Sequence, residues 1–300
     1  MSSMDMTDIL IIGGGPAGLQ AALTAARVHR QAVILDDGRY RNASVAHMHN
    51  VIGADGNPPQ EFRARARDEL TAYDTVSVRP VSATAVRSDP GGGFVADLAD
   101  GTGLSAGTVI LATGVSDELP EIPGLAEVWG GRAAHCPFCH AHEFAGGRIG
   151  IIGTARAGHL GPLLAPVAGS LLVLPLEGDS AEGPDGVRVA GSHVVGMRDT
   201  GSALDLTLAD GSVETVDVAF VPTTLRQRST IAEQLGLELN ESGCVRVDEL
   251  QRTSVPGVLA AGDMAHVPAL PMPMASMATA LASGQLAASA AIMHVLSKTH

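Results

Sequence analysis

Apolar positions along this chain follow two periods, and together they predict an alternation of strands and helices. Residues 8–12, 32–35, 108–112, 148–152 and 171–174 are mostly apolar runs of strand length, the pattern of strands buried on both faces. Residues 76–86, 94–98, 187–195, 203–208 and 213–221 read as further strands. The turn Asp89-Pro90-Gly91-Gly92-Gly93 divides the first two of these. Residues 19–28 have helical spacing. Residues 59–73 read as an amphipathic helix whose Arg63, Arg65 and Arg67 lie on a solvated face. A closing helix over about 274–296 is rich in Ala and Met, with the methionines expected to fill core space.

The order of these elements says more than any one of them. Strand 8–12 runs straight into Gly13-Gly14-Gly15-Pro16-Ala17-Gly18, then a helix, then strand 32–35 ending in Asp36-Asp37. Glycines at those positions permit a tight turn and let the backbone approach a diphosphate, whose charge rests on the helix N-terminus. A carboxylate after the second strand is placed to accept from a ribose hydroxyl. The strand–loop–helix context makes this a dinucleotide-binding unit. Residues 148–152 repeat the strand, and Gly153-Thr154-Ala155-Arg156-Ala157-Gly158 repeats the loop imperfectly. Between the two copies, Leu119-Pro120-Glu121-Ile122-Pro123-Gly124 is a proline-marked linker and the first domain boundary.

Composition narrows the class. A chain of 300 residues with 45% hydrophobic positions is globular and large enough for two domains. Aromatics are only 3%, which favours close backbone packing of small residues over large aromatic cores. A net charge of -13 argues against nucleic acid as a partner. Apolar runs of membrane-spanning length are interrupted by glycine or polar residues, so no membrane span is expected. Residues 1–7 lack a basic leader and read as a short disordered lead, which makes the expected location cytoplasmic.

Two of the three cysteines lie in His135-Cys136-Pro137-Phe138-Cys139-His140. In a reducing compartment such a pair serves redox chemistry or metal binding more often than it serves as a static staple. A zinc site needs a second ligand pair. His140 and His142 stand in the same short loop, poor tetrahedral geometry, so no metal is expected. Cys244, alone in sequence, is expected to fill a small apolar space.

The Gly13-to-Gly18 loop with Asp36, the strand end Ala112-Thr113-Gly114 and the segment Ala261-Gly262-Asp263 together resemble the flavoprotein disulfide reductases. A Cys-x-x-Cys in the second nucleotide-binding-like domain is similar to the low-molecular-weight thioredoxin reductase branch. The resemblance implies an α/β fold of two Rossmann-like, three-layer ββα domains. The FAD domain, residues 1–119 and 247–300, is split by an inserted NAD(P)-binding-like domain, residues 120–246. It further implies FAD held by Gly13, Gly15, Pro16, Ala17, Gly18, Asp36, Arg41, Asn42, Asn50, Ala112, Thr113, Gly114, Gly262 and Asp263, and a homodimer.

Two departures alter the functional expectation. In the second loop the middle glycine is Ala155, and strand 171–174 is followed by the acidic Pro175-Leu176-Glu177-Gly178-Asp179, where a 2′-phosphate needs arginines. The helix expected next is reduced to a Gly/Pro/Asp-rich loop, residues 178–186. NADPH is therefore expected not to be used. His140 stands where thioredoxin reductases usually carry an acid. Cys-x-x-Cys-His beside a weakened nicotinamide site is similar to the dithiol oxidases of the gliotoxin and holomycin type. That resemblance implies a small-molecule dithiol and O2 as partners, with Cys136 and Cys139 as the redox pair. His140 and His135 are the candidate bases.

Overall fold

The computed structural model describes residues 6–180 and 183–298. The expected disordered lead lies outside the described residues as far as Asp5, and Thr7 already belongs to the first strand. The chain divides into two compact units. The first comprises Met1–Arg41, Gln60–Ser116 and Leu225–His300, and the second Asn42–Pro59 and Asp117–Thr224.

The first unit is built around strands Thr7–Ile12 and Gly103–Leu111, which pair in parallel from Thr7↔Ala106 to Ile12↔Leu111. Ala32–Leu35, Val76–Arg79 and Val258–Ala260 extend the parallel layer. The first half of Gly103–Leu111 also pairs antiparallel with Phe94–Leu98, which pairs with Ala83–Ser88. Successive side chains of a strand face opposite ways. Ile9 and Ile11 accordingly pack with the alanines of helices Pro16–Ala26 and Met277–Lys298, while Leu10 and Ile12 pack with Val86, Phe94 and Leu98 of the antiparallel layer. This is the expected three-layer arrangement.

The two helices touch through small residues. A Cβ on Gly284 would overlap the Ala17 carbonyl oxygen, and Ala21, Ala22, Ala287, Ala288 and Ala291 are fully buried. By length and composition alone Met277–Lys298 is apolar enough to cross a membrane, but its alanines line this core. The methionines were expected to do that filling and do not. Of those in the expected helix, Met274 and Met293 are exposed and Met277 is half-buried, because a contact this close admits only Gly and Ala.

The second unit repeats the plan. Ala133–Ala134, Val218–Phe220, Arg148–Ile152, Ser170–Leu174 and Arg188–Val189 form a parallel sheet. Ile149 and Ile151 face helix Thr154–Leu164, and Ile152 faces the antiparallel strands Val194–Asp199, Leu204–Leu208 and Val213–Val216.

Several expectations are corrected. The boundary expected at 246/247 falls at 224/225 by contact, because Ile231, Ala232, Leu237, Cys244 and Val245 are buried in the first unit's core with Leu10 and Val109. Residues 42–59 group with the second unit: Gly130, at φ 84, has no room for a Cβ beside the Ser44 carbonyl. The single strand expected over 76–86 is two, interrupted at Pro80. Residues 187–195 and 213–221 likewise split, the latter at Asp217. Arg63, expected in solvent, is 6% exposed and lies 3.9 Å over the Tyr40 ring.

Candidate active site

In the first unit three segments far apart in sequence converge on the start of helix Pro16–Ala26. Gly13, at φ 117, is pressed so closely on Ala112 that a Cβ would overlap its carbonyl, and a Cβ on Gly18 would overlap the Gly13 carbonyl. Gly262, at φ 79, would bring a Cβ to 3.1 Å from that of Ala17. Its N–H donates to Ser283 Oγ at 2.9 Å. Thr113 Oγ1 lies 3.2 Å from Met264 Sδ, and the Gly114 carbonyl accepts from the Arg228 N–H at 3.3 Å. Arg41 Nη1 donates to Asp263 Oδ2 at 2.8 Å. Gly15, the helix N-cap, differs from its neighbours. It has no side-chain cap, Pro16 follows it, and a Cβ built on it meets nothing within 4 Å. The loop is tight everywhere except where a ligand would lie.

Asp36 stands at the edge of this loop, its carboxylate packed where a Gly14 Cβ would be. Oδ1 accepts from the Gly38 N–H at 3.0 Å. Oδ2 accepts from Tyr40 Oη at 2.7 Å and Arg67 Nη2 at 2.5 Å, and Arg67 also bonds Tyr40. Burial alone would raise its pKa; the hydrogen bonds from Tyr40, Arg67 and Gly38 outweigh that and hold the carboxyl below its ordinary value. Burial, with the Asp36 charge, pushes the Tyr40 hydroxyl up to about 12. Sequence reasoning placed Asp36 but not Tyr40, Arg63 or Arg67. Of the expected set, Asn42 and Asn50 fall in the second unit, and the remainder come together in the first.

In the second unit the sheet strand Ala133–Ala134 delivers the cysteine loop. Cys136 caps the single turn Pro137–His140, and the Cys139 N–H reaches the Cys136 carbonyl at 3.2 Å. Cys136 and Cys139 are disulfide-bonded with a Cα–Cα distance of 5.4 Å. Phe138, between them, is 66% exposed. His140 Nε2 lies 3.3 Å from the Gly130 carbonyl. A carbonyl only accepts, so Nε2 is the donor in this contact, and in the neutral ring the lone pair is on Nδ1. His135 stacks on Trp129 with centroids 6.0 Å apart, and its carbonyl accepts from Arg156 Nη2 at 3.2 Å. Arg156 Nη1 is buried with no hydrogen-bond partner, and burial lowers the pKa of this guanidinium. His49 stands between Asp55 and Glu143, each 3.5 Å from one ring nitrogen, and so ties residues 42–59 to the turn after the cysteines. Trp129, Gly130 and Arg156 were not legible as neighbours of this loop, because nothing in their spacing marks them. Among the described residues no group of three or more His, Cys, Asp or Glu is arranged to hold a metal ion.

The second nucleotide-type loop is built differently from the first. A Cβ on Gly158 meets nothing within 4 Å, whereas the matching Gly18 is locked against Gly13. Ala155 and Glu177 are exposed. Asp179 Oδ2 accepts from the Thr154 N–H at 2.8 Å and the Leu176 N–H at 3.0 Å, so a carboxylate of the chain itself sits on the start of helix Thr154–Leu164.

Two nucleotide-binding-type units, one carrying a disulfide loop, define a class, and the chain belongs to the pyridine nucleotide-disulphide oxidoreductase family, whose pattern it matches over residues 7–158 and 183–285. Within it the chain is a thioredoxin reductase-like flavoprotein. It is 34% identical over 282 residues to thioredoxin reductase tcpT of Claviceps purpurea, covering 88% of each chain. It matches the crystal structure of an Agrobacterium tumefaciens oxidoreductase at 32% identity and TM-score 0.87, covering 97% of this chain and 99% of that one. HlmI superposes at 29% identity and TM-score 0.88, over 100% of this chain and 95% of its own.

The family implies FAD. The residues present fit it: the open space at Gly15, the uncapped helix start and the close packing around them make a cradle for a diphosphate.

Proposed function

We propose that the protein is an FAD-dependent dithiol oxidase that closes a disulfide within a small-molecule dithiol, with O2 as final acceptor. One observation carries the reading: the second unit keeps a disulfide loop while its nucleotide loop has Ala155 for the middle glycine and an exposed Glu177 where a 2′-phosphate needs cations.

A substrate thiolate attacks Cys136 Sγ, which breaks the bond to Cys139 and forms a mixed disulfide. The second substrate thiol then attacks the substrate sulfur of that mixed disulfide. The product disulfide forms, Cys136 leaves, and the enzyme holds two electrons and two protons as its cysteine pair. His140, through Nδ1, takes the proton of the attacking thiol, with His135 as the second candidate. FAD, when bound, would supply the two-electron acceptor for the reduced pair and the route by which those electrons reach O2 as H2O2. Gly13, Gly15, Pro16, Ala17 and Gly18 would hold its diphosphate end, and Asp263 would stand on its ribitol side. NADPH is not used, and the enzyme works as a cytoplasmic homodimer.

The test follows the flavin spectrum of the purified holoprotein. Under nitrogen, dithiothreitol is expected to bleach the flavin and NADPH to leave it oxidised; admitting air restores it with one H2O2 per dithiol. Cys136→Ser is expected to lower dithiol-driven bleaching at least 1,000-fold. Bleaching by NADPH within seconds sinks the proposal. It favours the second reading, a reductase running the other way, for which the naming of relatives as thioredoxin reductases speaks.

A further inference from the structure

The two nucleotide-type loops of this chain share a fold plan and differ in what faces the helix start. At Gly15 no side chain caps the helix and the space beyond is open. The acid of that unit, Asp36, lies against Gly14 and takes its hydrogen bonds from Gly38, Tyr40 and Arg67 rather than from the helix start. At Thr154 the place is taken. Asp179 Oδ2 accepts from the first N–H of helix Thr154–Leu164 and also from the Leu176 N–H, just past the second strand. In a dinucleotide-binding unit those are the positions of the diphosphate and of the adenosine ribose. One carboxylate oxygen bridges both. The cation of this loop, Arg156, is directed to the His135 carbonyl.

We propose that Asp179 closes the nicotinamide-nucleotide site: its carboxylate is an internal substitute for the diphosphate, and it makes the second unit self-capped and selective against NADH as well as NADPH. The inference rests on the reading that nicotinamide is not the electron source, and adds the residue responsible. A diphosphate entering here must displace a negative charge already bonded to the amide it needs. The same bond caps an otherwise uncapped helix, so the closed state is also the more stable one.

Three variants of the FAD-loaded protein test this, with inorganic pyrophosphate and NADH as probes. Asp179→Gly opens the amide and removes the charge, and Asp179→Asn keeps the shape without the charge. Asp185→Asn makes the same charge change elsewhere in that loop, at an exposed position. By calorimetric titration, Asp179→Gly is expected to bind both probes at least tenfold more tightly than the parent, Asp179→Asn severalfold, and Asp185→Asn no more tightly. Equal gain in Asp185→Asn would reduce the effect to general charge and overturn the proposal. So would absence of gain in a folded Asp179→Asn with native flavin content, which decides the matter if Asp179→Gly does not fold. Dithiol oxidation by the parent protein separates the two ideas. If it persists while the variants gain nothing, only the role of Asp179 fails. If the parent itself binds NADH and is reduced by it, the oxidase reading fails.

Discussion

Three donors from its own chain hold the Asp36 carboxylate, and this sets how the first unit responds to acid. A group whose folded pKa is depressed adds stability above its unfolded pKa, about 3.9 for Asp, and loses it as pH falls through the lower folded value. Asp36→Asn is therefore expected to destabilise the protein by about 1–3 kcal/mol at neutral pH, because Arg67 and Tyr40 lose a charged partner. The difference in melting temperature between the two proteins should shrink steadily from about pH 4 downward. A constant difference down to pH 3 would refute the assignment. The sequence pattern announced Asp36 through its place after a strand. It said nothing of Tyr40, Arg63 and Arg67, because a helix that repeats arginine every second residue has the same pattern whether one of them is buried or all are solvated.

At the scale of elements, the helix pair of the first unit makes the clearest demand. Gly284 lies on the Ala17 backbone, and Ala17 stands in the first turn of the helix whose start is proposed to hold the diphosphate. Gly284→Ala must push helix Pro16–Ala26 away from Met277–Lys298. The expected cost is about 1–3 kcal/mol, seen as a lower urea midpoint, and purified protein should carry less flavin. Unchanged flavin content would show that the cradle is insensitive to the helix behind it. Parallel core strands were legible because buried runs are continuous. Strands 76–86 and 213–221 were read as single elements because alternation does not reveal a change of pairing partner within one sheet, as in the first, or a change of sheet, as in the second. Asp217 makes the second of these changes, binding the Arg148 N–H at 2.7 Å and its guanidinium beside the parallel sheet.

At the scale of the whole molecule, the doubled plan and the split first unit were legible from two loops, one linker and the returning Gly262-Asp263. The boundary near 246 was not, because short segments such as Ile231–Gln234 reveal their allegiance only through the core that buries them. The proposed homodimer can be tested on the closing helix. Leu286 and Met293 are exposed seven positions apart, hence on one face. The double change Leu286→Arg, Met293→Arg is expected to convert a dimer into a monomer in sedimentation equilibrium. A parent protein that already sediments as a monomer would end the dimer proposal.

Cys244 lies in the first unit's core at 1% exposure, with its thiol directed to the Asp263 carbonyl at 3.7 Å and its pKa raised by burial. It is chemically silent while the fold lasts. Treated with a thiol-specific alkylating reagent in its native state, the protein therefore takes up no label when the pair is closed, one at Cys139 when Cys136 holds substrate, and two when both are reduced. The mass spectrum of a quenched turnover mixture becomes a counter with three positions, reading at each instant the fractions of molecules whose Cys136–Cys139 bond is closed, opened by substrate or fully reduced, without any optical signal.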